Sequence, residues 1–201
     1  GQTVLTSCNR DGEWRVLRWA RGEKKPELEG ASYAIPKELA LHPNGTSWAA
    51  VHDRYDTSSG SFERIGSEIV LDGETLPHDG SATATPVFAP SGQSLAYKVQ
   101  GEGGFAIGLD GGEVTPSYDF VFTPVFSPDA STLAYVIARG AAPDTRYGMG
   151  AYAESTLATL GGERHVVTEV IPQREPVEGP AWLEIRDLAF SPDGEHLAYA
   201  A

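Results

Sequence analysis

Four stretches of the chain share one alternation of apolar and polar positions: a short apolar run, a tight polar turn, and a second run in which side chains alternate in character. They are Leu39 to His52, Pro86 to Val99, Pro124 to Ile137 and Leu188 to Ala201. The last reads Leu-Ala-Phe-Ser-Pro-Asp-Gly-Glu-His-Leu-Ala-Tyr-Ala-Ala. Aligned on Pro43, Pro90, Pro128 and Pro192, the copies place Leu or Phe two residues before the proline. Gly follows two residues after it in three copies, and Leu-Ala-Tyr or Trp-Ala-Ala comes next. Proline presets φ for the second position of a type I turn, Asp or Asn suits the third, and Gly supplies the left-handed conformation that closes a bulged hairpin. Each copy therefore predicts strand, turn, antiparallel strand. In the second strand Leu197 and Tyr199 fall on one face and Ala198 on the other, and a small residue there admits a neighbouring sheet closely. Ala130 stands where the other copies have Gly. A Cβ is costly in the left-handed region, so this turn is expected to be distorted or to lack the bulge.

Between copies the pattern leaves room for two further strands. After Tyr97 come Gly101-Glu-Gly-Gly104, the apolar Phe105 to Leu109, the turn Asp110 to Glu113, and Val114 to Phe120 leading into the next copy. The prolines are 47, 38 and 64 residues apart, bracketing the ~40–45 residues of a four-stranded propeller blade. The expected fold is all-β, a β-propeller of four-stranded antiparallel blades. Residues 1–30 form a partial blade, 31–80, 84–120 and 121–171 three complete blades, and 185–201 a second partial blade. Val4 and Leu197 take the same repeat position, so the two partial blades do not merge into one; the expectation is a segment of a longer propeller whose open ends are covered by missing chain or by another subunit.

These copies resemble the WD40-like repeat of the TolB-type β-propellers, whose signature is an aromatic residue followed by Ser-Pro-Asp-Gly and then Leu-Ala-Tyr or a close variant. Ile69 to Gly73 with Pro77-His-Asp79, and Ile107 to Gly111 with Pro116 to Asp119, resemble the third and fourth strands of one bacterial branch of that group. The resemblance spans nearly the whole chain and implies the fold. It also implies a periplasmic or extracellular setting. Such propellers serve as protein-binding scaffolds and as gating domains of serine peptidases, so it does not choose a function.

Composition narrows the classes. A formal charge of −13 argues against nucleic acid, whose binding depends on Lys and Arg neutralising phosphates. The lone Cys8 excludes an internal disulfide, and no apolar run approaches the ~20 residues of a membrane span. There is no Gly-x-Ser-x-Gly, Walker loop, His-Glu-x-x-His or paired Cys-x-x-Cys. The five histidines show no ligand spacing and read as solvated or edge residues. Asp110, Asp129 and Asp193 read as turn formers rather than calcium ligands, and Asn44-Gly-Thr46 as a turn rather than a glycan acceptor. No catalytic residue, cofactor or metal is expected. Two functions fit: a non-catalytic scaffold for protein–protein interaction or assembly, or the substrate-gating propeller of a prolyl-oligopeptidase-like serine peptidase whose catalytic domain lies outside this chain. The long segments Asp53 to Gly60, Arg139 to Gly150 and Ile171 to Leu183 all fall on the face that carries the connections from strand two to three and from strand four onward. Long loops are commonly functional, and Tyr, Trp and Arg are enriched in interface hot spots. Arg54, Tyr55, Arg146, Tyr147, Arg174 and Trp182 are accordingly the expected partner-binding residues.

Overall fold

A computed structural model describes residues 3–25, 27–32, 35–77, 80–83, 86–113, 115–139, 154–161, 177–182 and 185–200. They contain no helix and five antiparallel sheets. The first holds β1 (Thr3–Arg10), β2 (Glu13–Ala20) and β3 (Glu27–Ser32). The second holds β4 (Pro36–Leu41), β5 (Trp48–Asp56), β6 (Glu63–Leu71) and β7 (Glu74–Thr75) in that order. In the third, β8 (Ser81–Ala82) and β9 (Val87–Phe88) both flank β10 (Leu95–Gly101), followed by β11 (Gly104–Leu109) and β12 (Gly112–Glu113). The fourth repeats this with β13 (Phe120–Val121) and β14 (Val125–Phe126) on β15 (Thr132–Arg139), then β16 (Glu154–Gly161) and β17 (Val177–Trp182). The fifth is the hairpin β18 (Arg186–Phe190) and β19 (Leu197–Ala200).

The first strand of the four repeat-bearing sheets is irregular at one place. β8 faces Val99 and Gln100 while β9 faces Leu95 and Ala96, so they are two ends of one strand broken in the middle. Register shifts mark the same place in β4, between Lys37 and Ala40, and in β18, between Arg186 and Ala189. Glu38 and Asp187 there have φ of 50° and 55°. Pro86 and Pro124, fully buried, occupy the two breaks, where a residue without an N–H costs no ladder bond. First strands of neighbouring sheets touch, β4 against β9 and β14 against β18.

The second strands form the core. Ala49, Ala96 and Ala134 are completely buried, and alternate residues of β5 and β10 pack on opposite neighbours. Ala49 and Val51 meet Leu95, Tyr97 and Val99 of the third sheet, whereas Trp48 and Ala50 meet Val16 of the first. Ala96 in turn meets Tyr135 and Ile137 of the fourth. The Asp-Gly turns between strands three and four tie down the start of strand two: Trp48 N donates to Asp72 Oδ1 at 2.7 Å and Leu95 N to Asp110 Oδ1 at 2.6 Å. Asp72 and Asp110 have φ of 49° and 53°, as the two-residue hairpin turn demands of its first position.

The expected distortion at Ala130 does not occur. Ala130 takes φ 62° and closes the turn as glycine does elsewhere: Ala130 N donates to Ser127 O at 2.8 Å, matching Gly45 N to His42 O and Gly92 N to Ala89 O, both 2.8 Å. Two observations explain why the strain is tolerated. The Asp129 carboxylate accepts from Ser127 Oγ at 2.5 Å and from Ser131 N at 3.0 Å, and the Ala130 methyl is buried in the cluster containing Phe126 and Leu133. Two expected loops also prove to be partly strand. Asp53 to Asp56 continue β5, paired to Glu63–Ser67 across a short turn, and residues 177–182 form β17, paired to β16.

Successive Pro-x-Gly turns pack on one another. His42 accepts from Asn44 N through Nδ1 at 3.0 Å, which leaves Nε2 to donate to Gly92 O at 2.8 Å in the next turn. A Cβ on Gly92 (φ 74°) would stand 2.2 Å from His42 Cε1, whereas on Gly194 (φ 78°) it would meet nothing nearer than Pro128 Cδ at 3.5 Å. Gly194→Ala should therefore cost only the left-handed strain of about 1–2 kcal/mol. Gly92→Ala should cost clearly more, because the imidazole must also leave its seat. Denaturant unfolding of the two variants checks the order, and equal losses would refute the turn-on-turn contact.

Candidate functional site

Polar residues break into the apolar second strands towards the end where strand two leads to strand three. In β5 the run Trp48-Ala-Ala-Val51 gives way to His52 and Asp53, both buried. Asp53 is satisfied. Lys37 Nζ donates to Oδ2, Arg64 Nε donates to Oδ1 at 2.9 Å and Ser67 Oγ to Oδ1 at 2.8 Å. Arg64 also donates to Ser67 Oγ at 2.6 Å. Burial works to raise the pKa of this carboxyl, but the three hydrogen bonds and the Arg64 charge outweigh it and hold the group at about 2. The network locks β4, β5 and β6 together at one end of the second sheet. His52 is the less comfortable neighbour: it is 8 % exposed and its Nε2 has no hydrogen-bond partner. Burial lowers its pKa, against the pull of the Glu68 carboxylate. This buried histidine departs from the expected solvated position.

Beyond the network the β5–β6 hairpin carries an apolar patch. Tyr55, Phe62 and Ile65 are 37 %, 79 % and 56 % exposed, and the rings of Tyr55 and Phe62 meet edge to face with centroids 6.5 Å apart. A register shift between Arg54 and Tyr55 leaves Ile65 unpaired as a bulge, which kinks the strand. Arg54 lies over Gly66: a Cβ built there would be 3.3 Å from the guanidinium.

The structure thus brings together Arg54 and Tyr55 among the expected partner-binding residues. Arg146, Tyr147 and Arg174 lie outside the described residues. Trp182 closes β17 opposite Ser155, on a strand instead of the expected loop; its side chain is outside the described residues. Phe62 and Ile65 escaped the sequence reading, although an aromatic and an aliphatic residue flanking Glu63-Arg64 were visible as apolar interruptions of a polar turn.

A second missed feature is Lys98. In the aligned repeats it stands where the second and fourth sheets have Val51 and Val136, so a lysine occupies a core position. It is 7 % exposed. Its Nζ lies 4.1 Å from the Phe120 ring centroid and 5.3 Å from that of Phe105, and Phe122 closes against Phe120 with centroids 5.1 Å apart. Burial pulls its pKa down to about 8. Among the described residues no carboxylate pairs with it, and no group of three or more His, Cys, Asp or Glu is arranged to hold a metal ion.

No protein-family model matches the chain, and none of the curated proteins does. Solved structures do. The chain is similar to the tricorn protease (14% identity, TM-score 0.56), covering 93% of this chain and 21% of that one. It is also similar to a puromycin-hydrolyzing peptidase of Mycobacterium tuberculosis (15% identity, TM-score 0.53), covering 97% and 34%. A third is a TolB from Agrobacterium tumefaciens described as putative (15% identity, TM-score 0.49), covering 80% and 58%. The chain therefore spans less than two thirds of the length of each. At such identities the first two likenesses establish architecture alone. The fold is a β-propeller. In this propeller the Asp53 network and the Tyr55 patch share the end that carries the connections from strand two to strand three, opposite the stacked Pro-x-Gly turns.

A group whose folded pKa is depressed stabilises the fold above its unfolded pKa, near 3.9, and loses that contribution as the pH falls towards its folded value. For Asp53 the window is from about pH 4 down to 2. Asp129, held at about 2 by Ser127 and Ser131, titrates in the same window, so wild type is the reference. Asp53→Asn should cost about 2 kcal/mol at pH 7 and shrink the difference from wild type between pH 4 and 2. A constant difference across that range would contradict the network.

Proposed function

We propose that this propeller is a non-catalytic scaffold that docks a protein partner, or assembles into a larger complex, through the end bearing the strand two to three connections. The observation that carries this reading is the Tyr55, Phe62 and Ile65 patch. Six large apolar residues among those described are exposed, and half of them cluster on this one hairpin tip. Apolar patches rimmed by polar groups mark interaction sites. Arg54 stands beside the patch, and the Asp53 network beneath it keeps the hairpin stiff, which lowers the ordering cost of binding. Arg146, Tyr147 and Trp182 extend the same surface in this proposal; Arg174 does not, because it precedes β17 in the connection from strand three to strand four. A periplasmic or extracellular setting belongs to it as well.

A second reading is favoured by one observation: the two solved structures with the higher TM-scores are a protease and a peptidase. On it, the chain is the substrate-gating propeller of a prolyl-oligopeptidase-like serine peptidase, with the catalytic domain elsewhere. A Gly-x-Ser-x-Gly followed by Asp and His in the gene beyond these residues would favour it.

The scaffold reading predicts that Tyr55→Ala with Phe62→Ala reduces capture of the partner by about tenfold or more while thermal unfolding is unchanged. Tyr147→Ala with Trp182→Ala should act in the same direction. Glu195→Ala, on the short-turn end, should leave capture intact, and the opposite pattern would place the interface at the wrong end of the propeller.

A further inference from the structure

The valine-to-lysine exchange at position 98 is the one place where a repeat core position on the second strands carries an amine. Nothing about the fold requires it: Val51 and Val136 serve the same position. A buried lysine commonly has a carboxylate partner. Lys98 has instead the faces of Phe120 and Phe105, at 4.1 and 5.3 Å. Among the described residues, the elements packed around it offer no countercharge. β11 and β13 contain no ionisable residue. Among the described residues, the titratable groups of the adjoining core are the phenols of Tyr118 and Tyr135, and Asp119, next to Phe120 in the chain, is exposed. Aromatic faces favour the ammonium form, but desolvation favours the neutral amine, and a desolvated lysine in an apolar setting is a recognised form of activated nucleophile.

We propose that Lys98, buried over the adjoining rings of Phe105 and Phe120 at the interface of the third and fourth sheets, is a covalent capture site for small aldehydes. The amine lone pair adds to the carbonyl carbon, forming the C–N bond, while the carbonyl oxygen takes up a proton and the nitrogen gives one up. Loss of water then breaks the C–O bond and leaves an imine, with no oxidant or reductant involved. At 7 % exposure the amine is shielded from the water that would hydrolyse the product, and only small, uncharged aldehydes can reach it. The lowered pKa agrees with this chemistry. At pH 7.5 a group with pKa about 8 is about one quarter neutral, against about one part in a thousand for a free lysine.

The chain supplies its own controls, since its other lysines are Lys24, Lys25 and Lys37. The first two are exposed and Lys37 is paired with Asp53. The folded protein is treated with formaldehyde and cyanoborohydride, which traps imines as methylamines, and methylation is quantified at each lysine by peptide mass spectrometry. Lys98 is expected to react about tenfold faster than Lys24 and Lys25 at pH 7, with a rate profile centred near pH 8. The preference should vanish in guanidinium. Phe120→Leu keeps the site apolar and removes the ring that favours the charged form, so it should speed the reaction at Lys98 about twofold or more. Phe105→Leu repeats the test from the other ring. Methylation of Lys98 no faster than Lys24 in the folded protein, a preference that persists on unfolding, or a slower rate in the folded leucine variants would each overturn the proposal.

Discussion

Everything in this molecule hangs on the second strand of each of the three middle sheets. β5, β10 and β15 are hydrogen-bonded along both edges and covered on both faces by neighbouring sheets. A strand so enclosed must be apolar on both sides, and it must be slim where the sheets approach. Hence Ala49, Ala96 and Ala134, all fully buried; a larger side chain there would force the sheets apart at about 1–3 kcal/mol. The Asp-Gly turns fix where two of these strands begin. The Pro-x-Gly turns feed them from the first strands, which absorb irregularity through breaks and bulges that the enclosed strands could not tolerate.

That enclosure makes each polar residue on a second strand informative, because burying a polar group costs free energy unless it is compensated. Asp53 is compensated by Lys37, Arg64 and Ser67, and the result stiffens a hairpin that ends in exposed aromatic and aliphatic groups. Lys98 is met by two phenylalanine rings. His52 has only partial compensation. All three lie on the side of the strand that leads to the third strand, whereas the buried polar residues towards the Pro-x-Gly turns are the uncharged Ser94 and Ser127. The molecule therefore has a structural end, where turns stack through contacts such as His42 on Gly92, and a chemically differentiated end.

The repeat architecture was legible in the sequence because it is written locally: Pro, Asp and Gly at fixed offsets specify a turn, and the apolar alternation after it specifies a strand. Ala130 shows the limit of that local grammar. The rule against a Cβ at positive φ holds as an energy, yet the Asp129 carboxylate and a buried methyl outweigh it. The extent of the β5–β6 ladder was not legible from Asp53 to Gly60, whose composition is that of a turn. The Asp53 network joins residues from Lys37 to Ser67, and the Lys98 site joins residues on two sheets; neither is a spacing motif. Lys98 nevertheless leaves a trace, since aligning the copies exposes a lysine in a column otherwise made of Val51, Val136 and Ala200.

Amide hydrogen exchange, resolved by residue, tests the dependence on the second strands most directly. If they are the cooperative heart of the fold, the amides of Trp48–Val51, Leu95–Val99 and Leu133–Ile137 exchange only through global unfolding, and those of the outlying β1 and β19 exchange through smaller openings at much lower free energy. Exchange in β10 as fast as in β1 and β19 would contradict the account.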